Sequence, residues 1–135
     1  MNRVLTIFIA LHWTVVFAAL AAGWPAWALQ VTGVTPQGEV AQVRQVTVRF
    51  DSAAVAFGDP AAAAPATVNC SDAQAARGSG RWLDDRRWVW DFTADLPPGV
   101  RCTVATRSGF AAPQGGALAS GQWRFQTGGP AVRQL

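Results

Sequence analysis

The sequence predicts an all-β fold: an Ig-like antiparallel β-sandwich of seven or eight short strands, preceded by a helical signal peptide. Three observations favour this fold. Short runs in which apolar and polar residues alternate recur along most of the chain, which is typical of half-buried strands. Clusters of glycine, proline and aspartate separate these runs at short intervals. After residue 28 no run has the periodicity of an amphipathic helix, and 135 residues are enough for one domain with one core.

The first 28 residues have the pattern of a secretory signal peptide. Arg3 supplies the positive start, and residues 4–22 are apolar apart from three polar side chains. A glycine and a proline at 23–25 then end the helix, and an Ala-Trp-Ala sequence follows, with small residues where signal peptidase requires them. We therefore predict cleavage between Ala28 and Leu29.

A retained membrane anchor is the competing interpretation of the same segment. Residues 4–22 approach the length that spans a bilayer, and Trp24 and Trp27 have side chains that favour a membrane interface. We favour cleavage because the helix break and the cleavage site are both present. We then expect a periplasmic or secreted chain with no membrane attachment, since no cysteine directly follows the apolar run to carry a lipid.

The first half of the exported region predicts four strands. Residues 29–34 alternate and stop at a Thr-Pro-Gln-Gly turn, and residues 43–50 place three apolar side chains on one face. We expect a short irregular strand near 55–57 and then an alanine-rich loop, because the prolines around the alanines leave no room for a helix. Residues 67–70 form the next short strand.

The second half predicts a hairpin and two further strands. Residues 80–83 and 87–92 form the hairpin, which turns at the charged residues between them. An Asp-Leu-Pro-Pro-Gly turn leads into a strand at 100–106, where Val100, Cys102 and Val104 face one way. A last strand lies at 122–126. The resulting organisation is a signal peptide at 1–28, a domain at 29–130 and a tail or linker at 131–135.

The two cysteines, Cys70 and Cys102, are predicted to form a disulfide bond, because an exported domain meets an oxidising environment. The bond closes a loop of about 33 residues, worth about 3.5–4 kcal/mol in the chain-entropy model. Two alternatives compete with it. A metal site needs further ligands, and a reactive thiol leaves the second cysteine unexplained.

The residues after the signal offer no catalytic, metal-binding or cofactor-binding set. They contain no histidine or lysine, so their serines have no base to activate them, and we expect no enzyme and no cofactor. Asp84 and Asp85 are adjacent carboxylates, but they lie where the hairpin must turn, which favours a solvated turn. A net charge of about +2 is too small to indicate a nucleic-acid partner.

The predicted hairpin carries a cluster of large aromatic side chains: Trp82, Trp88, Trp90 and Phe92. One interpretation is a binding face formed by Trp82, Trp88 and Trp90, on which the sugar rings of a wall polysaccharide stack. The other is the inner layer of the sandwich, which aromatic residues at a period of two commonly fill. We favour the inner layer, because the opposite face carries Val89 between two charged residues.

Five segments together carry a resemblance to a known family: residues 34–46 followed by 48–50, residues 57–60, residues 80–82 with 88–92, residues 96–102 and residues 125–130. Their order and rough spacing resemble the first Ig-like macroglobulin domain of bacterial alpha-2-macroglobulins. The resemblance covers almost the whole exported region.

That resemblance implies a place in a large periplasmic protease inhibitor. Members of the family are regarded as protease traps that use a bait region and a Cys–Gln thioester, and neither part is in this sequence. We therefore expect a non-catalytic structural or interaction domain without trapping activity alone. Its partners would be further macroglobulin domains or envelope proteins. The alternative is a free-standing cell-envelope or carbohydrate-binding module that uses the Trp88/Trp90 face.

Overall fold

The computed structural model describes residues 28–128, and within them eight strands and no helix are formed. The predicted all-β sandwich is therefore confirmed. The signal peptide and the tail predicted from the sequence lie outside the described residues, apart from Ala28. The strands, in chain order, are β1 Val31–Thr35, β2 Gly38–Val40, β3 Gln45–Phe50, β4 Ala66–Cys70, β5 Gly78–Trp82, β6 Arg87–Phe92, β7 Arg101–Thr106 and β8 Gln122–Thr127.

The strands form two four-stranded sheets. The first sheet has the order β1-β3-β6-β5, and the second has the order β2-β8-β7-β4. Every pairing is antiparallel except that of β2 with β8, which is parallel, so the expectation of a purely antiparallel sandwich needs this one correction. The reason lies between β1 and β2, where the chain crosses from one sheet to the other instead of turning back as a hairpin.

The alanine-rich region after β3 differs from the prediction. The expected strand near 55–57 does not form, and residues 51–65 are a loop held by short-range bonds. The Asp59 carboxylate accepts the Ala61 backbone N–H at 2.9 Å, and the Asp59 N–H donates to the Ala56 carbonyl at 3.2 Å. Ala54 is buried in the core, but Phe57 points into solvent and no side chain from 55 to 60 is fully buried, so the stretch expected as a strand is not tied to either sheet.

The core lies between the two sheets and is built from side chains that alternate along the central strands. Its buried members on these strands are Val46, Val48 and Phe50 from β3, Trp88 and Phe92 from β6, Cys102 and Val104 from β7, and Phe125 from β8. Val100, Cys102 and Val104 face one way, as the period of two predicts. The inner-layer interpretation of the hairpin thus agrees with the burial of Trp88 and Phe92.

Val89 is fully buried on the other face of the first sheet. Its neighbours across the adjoining strands are Thr47 and Arg81. The Arg81 guanidinium bonds the Asp91 carboxylate at 2.7 Å, close to this position. The stem of a long charged side chain can cover apolar surface while its head stays in water. Arg81 is placed to cover Val89 in this way.

The described chain begins inside the fold. Leu29 is 1% exposed and forms a parallel bridge with Leu118. Its N–H donates to the Ala117 carbonyl at 2.9 Å, and its carbonyl accepts the Ala119 N–H at 2.8 Å. Within residues 28–128 there is no helix that is long and apolar enough to cross a membrane.

Candidate functional site

The disulfide bond joins two neighbouring strands of the second sheet. Cys70 on β4 and Cys102 on β7 are directly opposite one another, with a Cα–Cα distance of 4.0 Å. The predicted disulfide is confirmed. Cys102 is buried in the core, and β4 is the edge strand of its sheet, so the bond attaches an edge to the centre. This arrangement gives the two cysteines a structural role.

Trp88 offers no open ring face to a ligand. It is 1% exposed, and its ring lies against Gly80 on β5, where an added Cβ would stand 2.4 Å from the Trp88 Cζ2 atom. Trp90 is half-buried, and its ring is tilted by 37° from that of Trp88 at a centroid distance of 6.2 Å. The two indoles therefore do not form a flat surface on which sugar rings can stack.

Trp82 belongs to a second aromatic group. Its ring stacks on Phe110 at 6.3 Å and lies 5.6 Å from Phe50, between centroids. Its indole N–H donates to the Ala63 carbonyl at 3.1 Å. Trp82 therefore holds the alanine-rich loop against the end of the hairpin. Its role differs from that of Trp88 and Trp90, whose rings pack against glycines of β5.

Asp84 and Asp85 form part of the hairpin turn, where the sequence placed them. The Asp84 carboxylate accepts the Arg86 backbone N–H at 2.8 Å and the Arg87 guanidinium at 2.8 Å. These bonds, the backbone one most strongly, hold the pKa of Asp84 below its ordinary value. The Asp85 carbonyl accepts the Ala54 N–H at 2.7 Å. Both residues fix local structure.

Asp91 is the centre of a polar network that the sequence analysis did not identify. Its two carboxylate oxygens accept the Gln45 amide and the Arg81 guanidinium, each at 2.7 Å. The Arg81 bond, followed by the Gln45 bond, lowers the pKa of Asp91. The network joins β3, β6 and β5 across the outer face of the first sheet. Only the register of the three strands brings these side chains together.

A shallow depression of about 410 Å³ lies on the outer face of the second sheet. Its polar side chains are Glu39, Arg101, Thr103, Arg124 and Gln126. Arg124 stands opposite Thr103, and Arg101 stands opposite Gln126, so the two guanidinium groups lie diagonally across β7 and β8. Within residues 28–128 neither arginine makes an ion pair. Such a surface suits the carboxylate or phosphate groups of a partner.

A second concave surface lies at one end of the sandwich, which we call the apolar end because two large apolar side chains are exposed there. It consists of the loop at 53–63, the β5–β6 turn and the loop at 107–113. Two cavities of about 520 and 280 Å³ lie there, and both are lined by Val55, Ala56 and Asp59. Phe57 and Leu83 line the smaller cavity and are 84% and 44% exposed. The sequence analysis missed this surface, and the signal that could have found it is a phenylalanine in a loop that contains glycine and proline.

The predicted cleavage site adjoins the folded region. Ala28 is exposed and Leu29 is buried, and cleavage between them stays a prediction. In the part of the chain that the structure describes, no three residues among His, Cys, Asp and Glu are grouped as a metal site would require.

Comparison with known sequences finds no match, neither to a protein-family model nor to a curated protein. Solved structures with a similar chain path include an L,D-transpeptidase from Mycobacterium tuberculosis H37Rv. It is 23% identical with a TM-score of 0.46, over 73% of this chain and 40% of that one. This chain therefore spans about two fifths of the length of that transpeptidase.

Two further solved structures are similar at a comparable level. The N-terminal part of the bacterial S-layer protein SbsC is 17% identical with a TM-score of 0.48, over 78% of this chain and 25% of that one. CopC from Methylosinus trichosporium OB3b is 16% identical with a TM-score of 0.47, over 79% of this chain and 98% of that one.

The expected relationship to bacterial alpha-2-macroglobulins is wrong. No family model matches the chain, and the similar solved structures are transpeptidase, S-layer and CopC chains instead of macroglobulins. Further macroglobulin domains are therefore removed from the expected partners, and protease inhibition is removed from the expected roles.

Proposed function

We propose that this chain is a non-catalytic exported Ig-like domain with a structural or interaction role in the cell envelope. The disulfide between Cys70 and Cys102 is the observation that carries the proposal, because such bonds persist in oxidising compartments outside the cytoplasm. The signal-peptide pattern of residues 1–28 supports the same location.

The chemistry of the acidic side chains supports a non-catalytic role. A general acid or base at neutral pH needs a pKa that is close to the working pH, which for a carboxyl group means a raised pKa. The pKa values of Asp84 and Asp91 are lowered instead, by bonds to arginines and neighbouring groups. The only histidine, His12, lies within the predicted signal. These carboxylates stabilise the fold.

The interaction surface that we favour is the depression on the second sheet. Arg101 and Arg124 present two guanidinium groups with no internal partner in the described region, next to the hydroxyl of Thr103. A partner in the envelope with carboxylate or phosphate groups would fit this surface. The Trp88/Trp90 face is not part of the proposal, because Trp88 lies in the core.

The proposal is tested by expressing the full chain in a Gram-negative host and measuring the intact mass of the protein in each cell fraction. We expect periplasmic protein that has lost residues 1–28 and is two hydrogens lighter than the same protein after reduction. A variant without residues 2–28 is the control and should stay in the cytoplasm with both thiols reduced.

Two other outcomes are informative. Uncleaved protein with an oxidised disulfide in the membrane fraction would still support export. It would also show that residues 4–22 are kept as a membrane anchor. Full-length chain in the cytoplasm with two free thiols would refute the proposal.

A further inference from the structure

Phe57 and Leu83 are the large hydrophobic side chains that the described part of the molecule leaves exposed, at 84% and 44%. They lie on different segments, the loop at 53–63 and the β5–β6 turn, yet they line the same cavity together with Trp82. Two separate segments thus bring apolar side chains to one place. A surface of this kind is typical of a contact with another apolar phase or molecule.

The apolar end is held in shape by bonds between its segments. The Ala54 N–H donates to the Asp85 carbonyl at 2.7 Å, and the Trp82 indole donates to the Ala63 carbonyl at 3.1 Å. The Gln114 side chain adds a bond to the Ala53 carbonyl at 3.1 Å. These bonds fix the loops on which Phe57 and Leu83 are carried.

The chain enters the sandwich at this same end. The Gln30 carbonyl accepts the Asp51 N–H at 3.0 Å, and the Phe50 N–H donates to the Arg86 carbonyl at 2.9 Å. The start of β1 therefore lies beside the end of β3 and the β5–β6 turn. The sequence before it contains the apolar residues 4–22, which end six residues before Leu29. Six residues reach at most about 20 Å.

We propose that, in a chain that keeps residues 4–22, the apolar end faces a lipid bilayer, with the side chains of Phe57 and Leu83 in the interfacial layer. While residues 4–22 are in the membrane, the short connection keeps this end next to it. Apolar side chains bury their surface in the headgroup and acyl boundary. The inference rests on the proposed export and on the anchor interpretation of residues 4–22, and it does not extend to a chain that has been cleaved after Ala28.

A bilayer fits this surface better than a second copy of the chain. The exposed apolar side chains are two. The cavities around them are lined by alanines and loop backbone together with the charged side chains of Asp59, Asp84 and Arg107. A stable interface between proteins buries roughly 800 Å² on each partner and is centred on well-packed anchors. A lipid surface needs no such shape match, and residues 4–22, where they are kept as an anchor, place one beside this end.

The test uses the full chain in phosphatidylcholine vesicles that contain a phospholipid with a photoactivatable diazirine on its acyl chain. After irradiation, mass spectrometry of the digested protein locates the labelled segments. We expect label on the segments that contain Phe57 and Leu83, in addition to residues 4–22. The turn around Pro97 and Pro98, at the other end of the sandwich, should remain unlabelled.

The variant Phe57→Ser supplies the decisive comparison. Because Phe57 is almost fully exposed, the variant should keep the melting temperature of the parent. Loss of one inserted phenylalanine should lower the label on the separate Leu83 segment about tenfold. Pro98→Ser, an exposed position at the far end, is the matched control and should leave the label unchanged.

Label confined to residues 4–22, or spread equally over both ends of the sandwich, would overturn the inference. So would a dimer, seen by light scattering, in which Phe57 and Leu83 are protected from the label. The vesicles supply the membrane in this test, so its result does not depend on where a cell delivers the chain. Cell fractionation and photolabelling can therefore fail independently.

Discussion

At the scale of single residues, the ring of Trp88 packs directly against Gly80. The Trp88 ring leans across to the glycine diagonal to it on β5, and the ring of Trp90 leans in the same way towards Gly78. An added Cβ at Gly80 would overlap the Trp88 ring, and one at Gly78 would overlap the Asp91 carbonyl oxygen and the Trp90 ring nitrogen. The pattern is one of cross-strand pairs in which a large ring covers a residue without a side chain.

The variant Gly80→Ala should destabilise the fold by roughly 1–3 kcal/mol, the cost of forcing extra atoms into a packed site. The added Cβ would lie 2.4 Å from the Trp88 ring, which is buried in the core. Urea unfolding measures the change.

Gly33→Ala is the matched control for this variant, since Gly33 also lies in a strand and has no atom within 4 Å of the added Cβ. We expect Gly33→Ala to unfold at the urea concentration of the parent or slightly above it. Equal losses of stability for the two variants would contradict the fit of Gly80 to Trp88.

Asp91 makes the stability of the first sheet dependent on pH. Its pKa is lowered by the Arg81 and Gln45 bonds, so its contribution to stability is complete above the unfolded pKa of about 3.9. The contribution is lost as the pH falls from that value through the lower folded pKa. The parent should exceed Asp91→Asn in stability by about 0.5–1 kcal/mol at pH 7. Thermal unfolding from pH 7 to pH 2 should show this difference disappear.

Arg81→Gln removes the main cause of the lowered pKa and serves as the control. In that background, the substitution of Asp91 should change stability less, and the loss below pH 4 should be smaller. A parent whose advantage over Asp91→Asn is the same at pH 7 and pH 2 would show that the network does not act through the charge.

The burial of single residues was partly predictable. The period of two placed Trp88 and Phe92 on one face, and both are buried. The unpartnered, buried indole N–H of Trp90 and the match of Gly78 and Gly80 to the two rings were not predictable. Both depend on the register of β5 against β6 and on ring orientation, which single-strand patterns do not specify.

At the scale of elements, the disulfide fixes an edge strand. Opening it, by reduction or in the double variant Cys70→Ala/Cys102→Ala, should lower the free energy of unfolding by about 3.5–4 kcal/mol. The reason is the freedom that the unfolded chain regains when a loop with a sequence separation of 32 is released. Urea unfolding with and without dithiothreitol measures the effect.

The double variant is also the control for the reductant, because dithiothreitol should not change its unfolding midpoint. An unchanged midpoint of the parent after verified reduction would contradict the predicted stabilisation.

Seven of the eight strands, all except β2, lie within about two residues of a predicted range. Among them, β3, β6, β7 and β8 combine a clear alternation with a marked turn. β2 was missed because its three residues, Gly38–Val40, have no periodicity, and their pairing with β8 spans most of the chain. The prediction of a strand near 55–57 was wrong because a local apolar pattern does not show whether a neighbouring strand is available for pairing.

At the scale of the whole molecule, the resemblance to macroglobulins illustrates how far short segments can mislead. Residues 96–102 contain a turn and the start of β7, and residues 125–130 contain the end of β8. An Ig-like sandwich needs turns and edge-to-core strands of this kind whatever its role. The segments therefore predicted the β-sandwich architecture correctly, but they did not identify the family.

The path of the chain through the sandwich has a mechanical consequence. The chain enters beside Ala117 and leaves β8 beside Pro97, at opposite ends of the molecule, so tension on the two termini runs along its length. Cys70 and Cys102 are 32 residues apart in the sequence, and the bond between them prevents the loop they enclose from being pulled out. The disulfide therefore shortens the maximum extension of the unfolded domain by about 110 Å. Reduction of the bond restores this length, so the maximum extension depends on the redox conditions.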